Sequence, residues 1–186
     1  MGIRSLVASF SLARVCRLLN TEPLTLPLAL KDKNLLVLLP ANLADLTVFK
    51  QILPQVISLF GENNVYLLAG PEMEVQSIFS SKGLHIIAPS KTSVNWCRLP
   101  TQAFLEKLKK LSFDYVFDGN FESNHFAARI LLNFPRAVRF GCNPRLGHPY
   151  LNLEIKTRYL RDRRLIYRSI MEVLGDISHP RGVTAS

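Results

Sequence analysis

Short apolar runs alternate with longer amphipathic stretches along most of the chain. The runs predict strands at residues 34–39, 64–69, 84–88, 115–117 and 137–140. Because uninterrupted apolar runs are typical of strands covered on both faces, they favour a parallel sheet. Between the runs, apolar residues recur at helical spacing. This spacing predicts helices over residues 46–60, 72–81, 101–111, 121–134 and 159–174, the last of them ended by Gly175.

This order of elements predicts one α/β domain, a three-layer Rossmann-like fold with a mostly parallel sheet over residues 34–176. We expect residues 1–33 to form an N-terminal helix with an extended lead-in, and residues 177–186 to form a flexible tail. In such sheets, ligands bind beyond the carboxyl ends of the strands, where the strand order reverses. The segments that follow the predicted strands are therefore the places where chemistry is expected.

Positive charge is concentrated in the last third of the chain. The net charge is +9, and residues 123–186 hold eleven basic and four acidic side chains. Such an excess can attract phosphate, acidic glycan, anionic lipid or nucleic acid. The basic cluster at residues 156–168 could meet RNA, an anionic membrane or an acidic partner, or it could be a solvated helix face. No aromatic signature of an RNA-binding fold accompanies it.

The N-terminal segment and the cysteines carry weaker signals. Residues 1–19 contain three arginines, no acid and apolar residues at helical spacing. They fit a helix packed on the domain, which we expect, or a helix on a membrane surface or a transit peptide. Cys16, Cys97 and Cys142 are far apart and form no ligand motif. We therefore expect no disulfide and no metal site, and reduced thiols favour a cytoplasmic protein.

The turn after the first predicted strand, residues 40–45, contains no glycine. Dinucleotide fingerprints and P-loops need glycines where the backbone approaches a phosphate, so we expect no cofactor and no cofactor-binding residue here. Asp45 lies in the first turn of the next helix, and Asn42 lies beside it as a candidate substrate-binding residue. Asp45 could act as a general base toward a sugar hydroxyl, or it could only complement the helix dipole.

A second polar segment, residues 118–125, follows a strand and precedes a helix. Its side chains can donate hydrogen bonds to sugar hydroxyls or accept them, and one of them, Asn120 or Ser123, could instead cap the helix. Arg139 and Arg145, on either side of Gly141, suit phosphate or carboxylate recognition, or they belong to a solvated basic surface. The candidate substrate-binding residues in this segment are Asp118, Asn120, Glu122, Asn124 and His125.

Several short motifs occur in a definite order along the chain. They are Leu43-Ala44-Asp45, Ile52-Leu53-Pro54, Leu67-Leu68-Ala69-Gly70-Pro71, Phe113-Asp114-Tyr115-Val116-Phe117-Asp118, Arg139-Phe140-Gly141 and Leu174-Gly175. In this order and spacing, residues 34–176 resemble the N-terminal domain of family 9 glycosyltransferases, the lipopolysaccharide heptosyltransferases. The family's Leu-Gly-Asp turn falls on Leu43-Ala44-Asp45, so that alanine stands where the family has glycine.

The resemblance implies the acceptor-binding half of a two-domain GT-B enzyme, with Asp45 as the base of an inverting sugar transfer. The family's C-terminal domain, which holds the nucleotide sugar, is not matched, so we expect the chain to be inactive alone. We expect an acceptor-half domain that binds a glycan or a phosphorylated sugar, or that acts with a partner chain.

Two alternatives stay open. One is an inverting heptosyltransferase-like enzyme completed by a separate donor domain; the partner could be such a donor-domain protein, or the chain could form a homo-oligomer. The other is a basic protein that binds RNA or an anionic membrane, through residues 156–168 or through the N-terminal helix. We expect a cytoplasmic location, peripheral at the inner membrane.

Overall fold

The protein is built on a six-stranded parallel sheet. A computed structural model describes residues 2–17, 24–71, 73, 79, 83–159 and 161–178. Every strand pair in the sheet is parallel, which confirms the predicted α/β class. In chain order, the strands are β1 (Leu35–Leu38), β2 (Val65–Leu68), β3 (His85–Ile87), β4 (Tyr115–Asp118), β5 (Val138–Gly141) and β6 (Leu153–Glu154).

The strand order reverses beside β1. Across the sheet the order is β3-β2-β1-β4-β5-β6, so the chain builds one half outward from β1 and then returns to build the other half from β4. Leu38 at the end of β1 is paired with Asp118 at the end of β4. The turns that follow these two strands therefore lie side by side, at the position where open parallel sheets bind ligands.

Helices cover both faces of the sheet, which gives the three predicted layers. Residues alternate along each strand, so Leu35 and Val37 pack with the helices on one face and Leu36 and Leu38 with those on the other. Helices α2 and α5 cover the first face, and α1, α3 and α4 cover the second. The helices are α1 (Ile3–Arg17), α2 (Leu43–Phe60), α3 (Gln102–Lys109), α4 (His125–Leu131) and α5 (Arg163–Ser178).

Helix α2 illustrates how the sequence specifies these layers. Asn42 caps its first turn, and its apolar residues recur at helical spacing to form a buried stripe. By length and composition α2 could span a membrane. Here it packs against α5 and the sheet, which is the environment of a core helix in a globular domain.

The ends of some helices differ from the prediction. Helix α4 begins at His125, four residues after the predicted start, because the residues before it form hydrogen-bonded turns instead. Helix α5 begins at Arg163 and continues through Gly175 to Ser178, so the prediction that Gly175 ends it is wrong. Gly175 does not adopt the positive φ that a glycine cap requires, so the helix continues through it. The helix predicted over residues 72–81 lies mostly outside the described residues. Residues 179–186 of the predicted tail lie wholly outside them.

Candidate functional site

A cleft of about 1040 Å³ opens at the carboxyl edge of the sheet, where the strand order reverses. The turns after β1 and β2 contribute Pro40, Ala41, Asn42, Asp45, Gly70, Pro71 and Met73 to its lining, and the turn after β4 contributes residues 120–126. The start of α1 and residues 91–98 also line it. Two segments that the sequence singled out separately, the one around Asp45 and the one from residue 118 to residue 125, therefore share one cleft.

The turn after β1 fixes Asp45 at the edge of this cleft. The side-chain oxygen of Asn42 accepts a hydrogen bond from the Asp45 backbone N–H at 2.8 Å, which caps α2. In return, Asn42 Nδ2 donates to Asp45 Oδ2 at 2.7 Å. Asp45 is only 7% exposed, although it lines the cleft. Its carboxylate is thus held in one orientation by the residue that starts the helix.

Arg163 of α5 is the second partner of Asp45. Its Nε lies 3.4 Å from Asp45 Oδ1, and its guanidinium carbon lies 4.3 Å from the centre of the Phe121 ring. Arg163 therefore connects the β1 turn to the β4 turn. From the sequence, Arg163 was only one member of the basic cluster at residues 156–168. The structure instead places it on the inner side of α5, where the helix packs against α2.

A network of side-chain amides joins the two turns a second time. Asn120 Oδ1 accepts from the backbone N–H of Ala41 at 3.1 Å and from Asn124 Nδ2 at 3.2 Å. Asn120 Nδ2 donates to Asp118 Oδ1 at 2.8 Å. Asn124 caps α4 by accepting from the Ala127 N–H, so the capping residue is Asn124 rather than Asn120 or Ser123. Asn120 and Asn124 line the cleft. The described side-chain bonds use both acceptor positions and one donor of Asn120, and one acceptor position and one donor of Asn124.

Asp118 lies beneath the cleft and supports it from below. It is 2% exposed, and this burial raises the pKa of its carboxyl group to about 6, although hydrogen bonds from Asn120 and Asn143 act in the opposite direction. Next to it, the hydroxyl of the buried Tyr167 donates to the Gly119 carbonyl at 2.8 Å. Gly119 is required there, because a Cβ would lie 2.9 Å from the Leu38 carbonyl oxygen. The floor of the site is therefore a tightly packed polar layer.

The accessible polar groups of the cleft come from several elements. Asn42 and Glu122 are exposed, and His125 is half-buried at the start of α4. His125 Nε2 lies 3.3 Å from Ser9 Oγ of α1, a contact that ties the N-terminal helix to the site. Arg4, Lys91 and Arg98 add positive charge to the lining. None of these three was a candidate site residue from the sequence: Arg4 and Arg98 do not directly follow a predicted strand, and Lys91 follows the third strand, which lies at the far edge of the sheet.

Arg139 and Arg145 do not reach the cleft. Arg139 is the second residue of β5, so its side chain leaves the sheet within the strand rather than at its carboxyl end. It is fully buried, and its Nη1 donates to the Pro149 carbonyl at 2.9 Å. Arg145 is exposed and lies outside the lining. Among the described residues, no group of three or more His, Cys, Asp or Glu side chains could hold a metal ion.

Comparison with known proteins agrees with this architecture. No family model matches the sequence, and neither does any curated protein. Among solved structures, the fold is similar to that of the glycosyl transferase family 9 from Veillonella parvula DSM 2008, with a TM-score of 0.58 and 14% identity. The fold is glycosyltransferase-like. The likeness covers 80% of this chain but only 43% of that one, so the chain spans less than half of the length of the glycosyl transferase.

Proposed function

We propose that this glycosyltransferase-like domain binds the acceptor in a sugar transfer, and that the acceptor is a glycan or a phosphorylated sugar. The observation that carries the proposal is that Asp45 and the 120–126 turn line one cleft at the switch point of the sheet. Carboxylate, amide and imidazole groups are suited to sugar hydroxyls because these hydroxyls both donate and accept. A glycosyltransferase-like fold gives this chemistry its context, although fold alone does not assign an activity.

A phosphorylated acceptor is favoured by the charges that line the cleft. Among the described lining residues, Arg4, Lys91 and Arg98 supply three cations, whereas Asp45 and Glu122 are acidic. Because Asp45 is already paired with Arg163, its negative charge is largely compensated. A phosphate can therefore be held by guanidinium and ammonium groups while Asn42, Glu122 and His125 meet the sugar hydroxyls.

In the transfer reaction, Asp45 would act as the general base. Asn42 and Arg163 each engage one of its oxygens, and each oxygen keeps a second acceptor direction for a hydroxyl in the cleft. The acceptor oxygen would form a bond to the anomeric carbon of a donor sugar as the bond from that carbon to the leaving phosphate breaks. The hydroxyl proton would pass to Asp45, and the nucleotide would leave with the bonding electron pair. A separate domain or chain would supply the nucleotide sugar.

Binding measurements test the acceptor site directly. We would titrate the protein with phosphorylated monosaccharides and with the same sugars lacking phosphate, using calorimetry. The phosphorylated forms should bind more tightly. Lys91→Ala should reduce that preference, whereas Lys107→Ala on α3, an exposed lysine outside the cleft, should leave it unchanged. Equal affinity for both forms, or an unaltered preference in Lys91→Ala, would count against a phosphate-binding acceptor site.

The role of Asp45 needs a transfer assay with the donor-binding partner present. Asp45→Asn preserves the size of the side chain and one acceptor oxygen, so it should keep acceptor affinity within a few-fold. It should lower the transfer rate by roughly 100-fold or more, the contribution that a general base usually makes. A variant that transfers sugar at the unmodified rate would show that Asp45 is not the base.

A further inference from the structure

The outward face of α1 is apolar and has no cover among the described residues. Of the eight large hydrophobic side chains that are exposed in the described part of the chain, four lie on it: Ile3, Leu6, Val7 and Phe10. Phe10 is 77% exposed and Leu6 is 55% exposed, while Ala8 and Leu12 on the opposite face are buried against the domain. A helix that is apolar on both sides is normally covered on both sides. The outward face therefore fits a second apolar environment.

A neighbouring loop places the protein's one tryptophan in solvent. Cys97 and Leu99 pack with Ala8 of α1 in a small apolar cluster. The loop is held in shape because Asn95 Oδ1 accepts from the backbone N–H groups of both Cys97 and Leu99 at 3.0 Å. Trp96, between these fixed points, is nevertheless 62% exposed. A tryptophan side chain is amphipathic, and this residue is enriched where proteins meet lipid headgroups.

The charged residues within α1 and the loop around Trp96 are all positive. Residues 2–17 and 90–101 contain Arg4, Arg14, Arg17, Lys91 and Arg98 and no acidic residue. Arg14 and Arg17 follow Phe10 at spacings of four and seven, so they continue the same helical face. Apolar side chains flanked by arginines and lysines are the pattern of helices that lie in the surface of an anionic bilayer.

We infer that α1 and the Trp96 loop form a docking surface for an anionic lipid membrane. The basic cluster at residues 156–168 fits that role less well, because Arg163 is paired with Asp45 and Arg168 with Glu172. No exposed large hydrophobic side chain lies in the described part of that cluster. Arg4 and Arg98 belong both to the docking surface and to the cleft lining, so docking places the cleft next to the bilayer. The inference is independent of the acceptor proposal.

Trp96 provides the assay, since the full chain contains no other tryptophan. Its emission should shift to the blue when the protein meets vesicles of phosphatidylcholine containing about a third phosphatidylglycerol, and brominated lipid should quench it. Vesicles of phosphatidylcholine alone should bind much less, and added salt should weaken the anionic binding because it screens the arginines. Unchanged Trp96 emission at saturating anionic lipid would overturn the inference.

Substitutions locate the surface. Leu6→Ser combined with Phe10→Ser should weaken vesicle affinity on the order of 100-fold, because two large side chains no longer enter the lipid. Leu26→Ser is the matched control, since Leu26 is 58% exposed but lies near the C-terminal end of α5, where the Leu28 N–H donates to the Ile177 carbonyl. Circular dichroism tests whether each variant is folded. If a variant does not fold, the quenching of Trp96 in the unmodified chain still tests docking.

A charge reversal distinguishes the two basic regions. Arg14→Glu with Arg17→Glu should reduce binding to anionic vesicles at least about tenfold, while Arg161→Glu with Arg164→Glu should leave it nearly unchanged. The opposite pattern would move the membrane contact to α5 and overturn the inference. The inference would also be overturned if light scattering showed that the unmodified protein is a dimer without lipid and that Leu6→Ser with Phe10→Ser makes it a monomer. A second copy of the chain would then cover α1.

Discussion

Replacing Asp118 with asparagine should stabilise the fold more at neutral pH than at acidic pH. Asp118 is 2% exposed, and burial raises the pKa of its carboxyl group from 3.8 to about 6. The folded protein therefore holds this proton more tightly than the unfolded chain does. The resulting contribution to stability is complete below pH 3.8 and is lost as the pH rises through about 6. Asparagine carries no charge and keeps an oxygen that can accept both bonds from Asn120.

The size of the effect follows from the two pKa values. The interval from 3.8 to about 6, at about 1.4 kcal/mol per pH unit, corresponds to about 3 kcal/mol. The free energy of unfolding should be measured by chemical denaturation of both proteins from about pH 4 to about pH 8. The advantage of Asp118→Asn should grow by about 2 kcal/mol between pH 4 and pH 6 and should level off by about pH 7, because part of the total is already lost at pH 4.

One control variant and two possible outcomes test this reasoning. Glu62→Gln removes one negative charge from an exposed position and so controls for the general effect of net charge. A difference between Asp118→Asn and the unmodified protein that is the same at every pH would refute the argument, because the buried carboxylate would then carry no penalty for ionisation. A difference that shrinks as the pH rises would refute it as well.

Three further substitutions test the packing of the site by thermal or chemical denaturation. Gly119→Ala should destabilise the fold by about 1–3 kcal/mol, because the new Cβ would lie 2.9 Å from the Leu38 carbonyl oxygen. Gly147→Ala is the control, because the space around Gly147 is open and no such loss is expected. Tyr167→Phe leaves the Gly119 carbonyl without its buried donor and should reduce the free energy of unfolding by about 1–2 kcal/mol; an unchanged value would mean that another group satisfies this carbonyl. Arg163→Met keeps the side-chain stem but removes the charged partner of Asp45 and Phe121, so the free energy of unfolding should fall by about 1 kcal/mol. Arg164→Met, at the exposed neighbouring position, should leave the free energy of unfolding unchanged. Equal losses in both arginine variants would contradict a specific role for Arg163.

The sheet could be predicted because its signal is local. Uninterrupted apolar runs marked the strands, and the helical stretches between them required parallel connections. The order of the strands across the sheet was not predicted, so the segments after all five predicted strands were candidates, and those around Asp45 and residues 118–125 were singled out by their polar side chains. The bonds within the cleft could not be predicted in the same way, because residues far apart in the sequence make them.

The structure places Arg139 and Arg163 differently from the prediction made from the sequence. Arg139 precedes Gly141 and was expected at the ligand edge. Counting along β5 shows instead that Val138 and Phe140 face one layer, so Arg139 points into the other and is buried. Period-two alternation already contained this signal. The role of Arg163 had no such signal, since it depends on how α5 packs across α2.

The start of α4 was missed for a different physical reason. The spacing of apolar residues predicted that residues 121–124 belong to the helix. Asp118 and Asn124, however, accept hydrogen bonds from nearby backbone N–H groups, which stabilises turns in place of a helical turn. This competition between side chains and the helix frees Glu122 and Ser123 to line the cleft.

The central claim, that the cleft at the switch point is an acceptor site, is tested most directly by nuclear magnetic resonance of the isotope-labelled protein titrated with phosphorylated sugars. The account predicts saturable shifts in the side-chain amide signals of Asn42, Asn120 and Asn124 and in the ring signals of His125, all of which line the cleft. The signals of Arg145, which lies outside it, should stay unchanged. Saturable shifts that leave these four residues unaffected and map to another part of the surface would contradict the account.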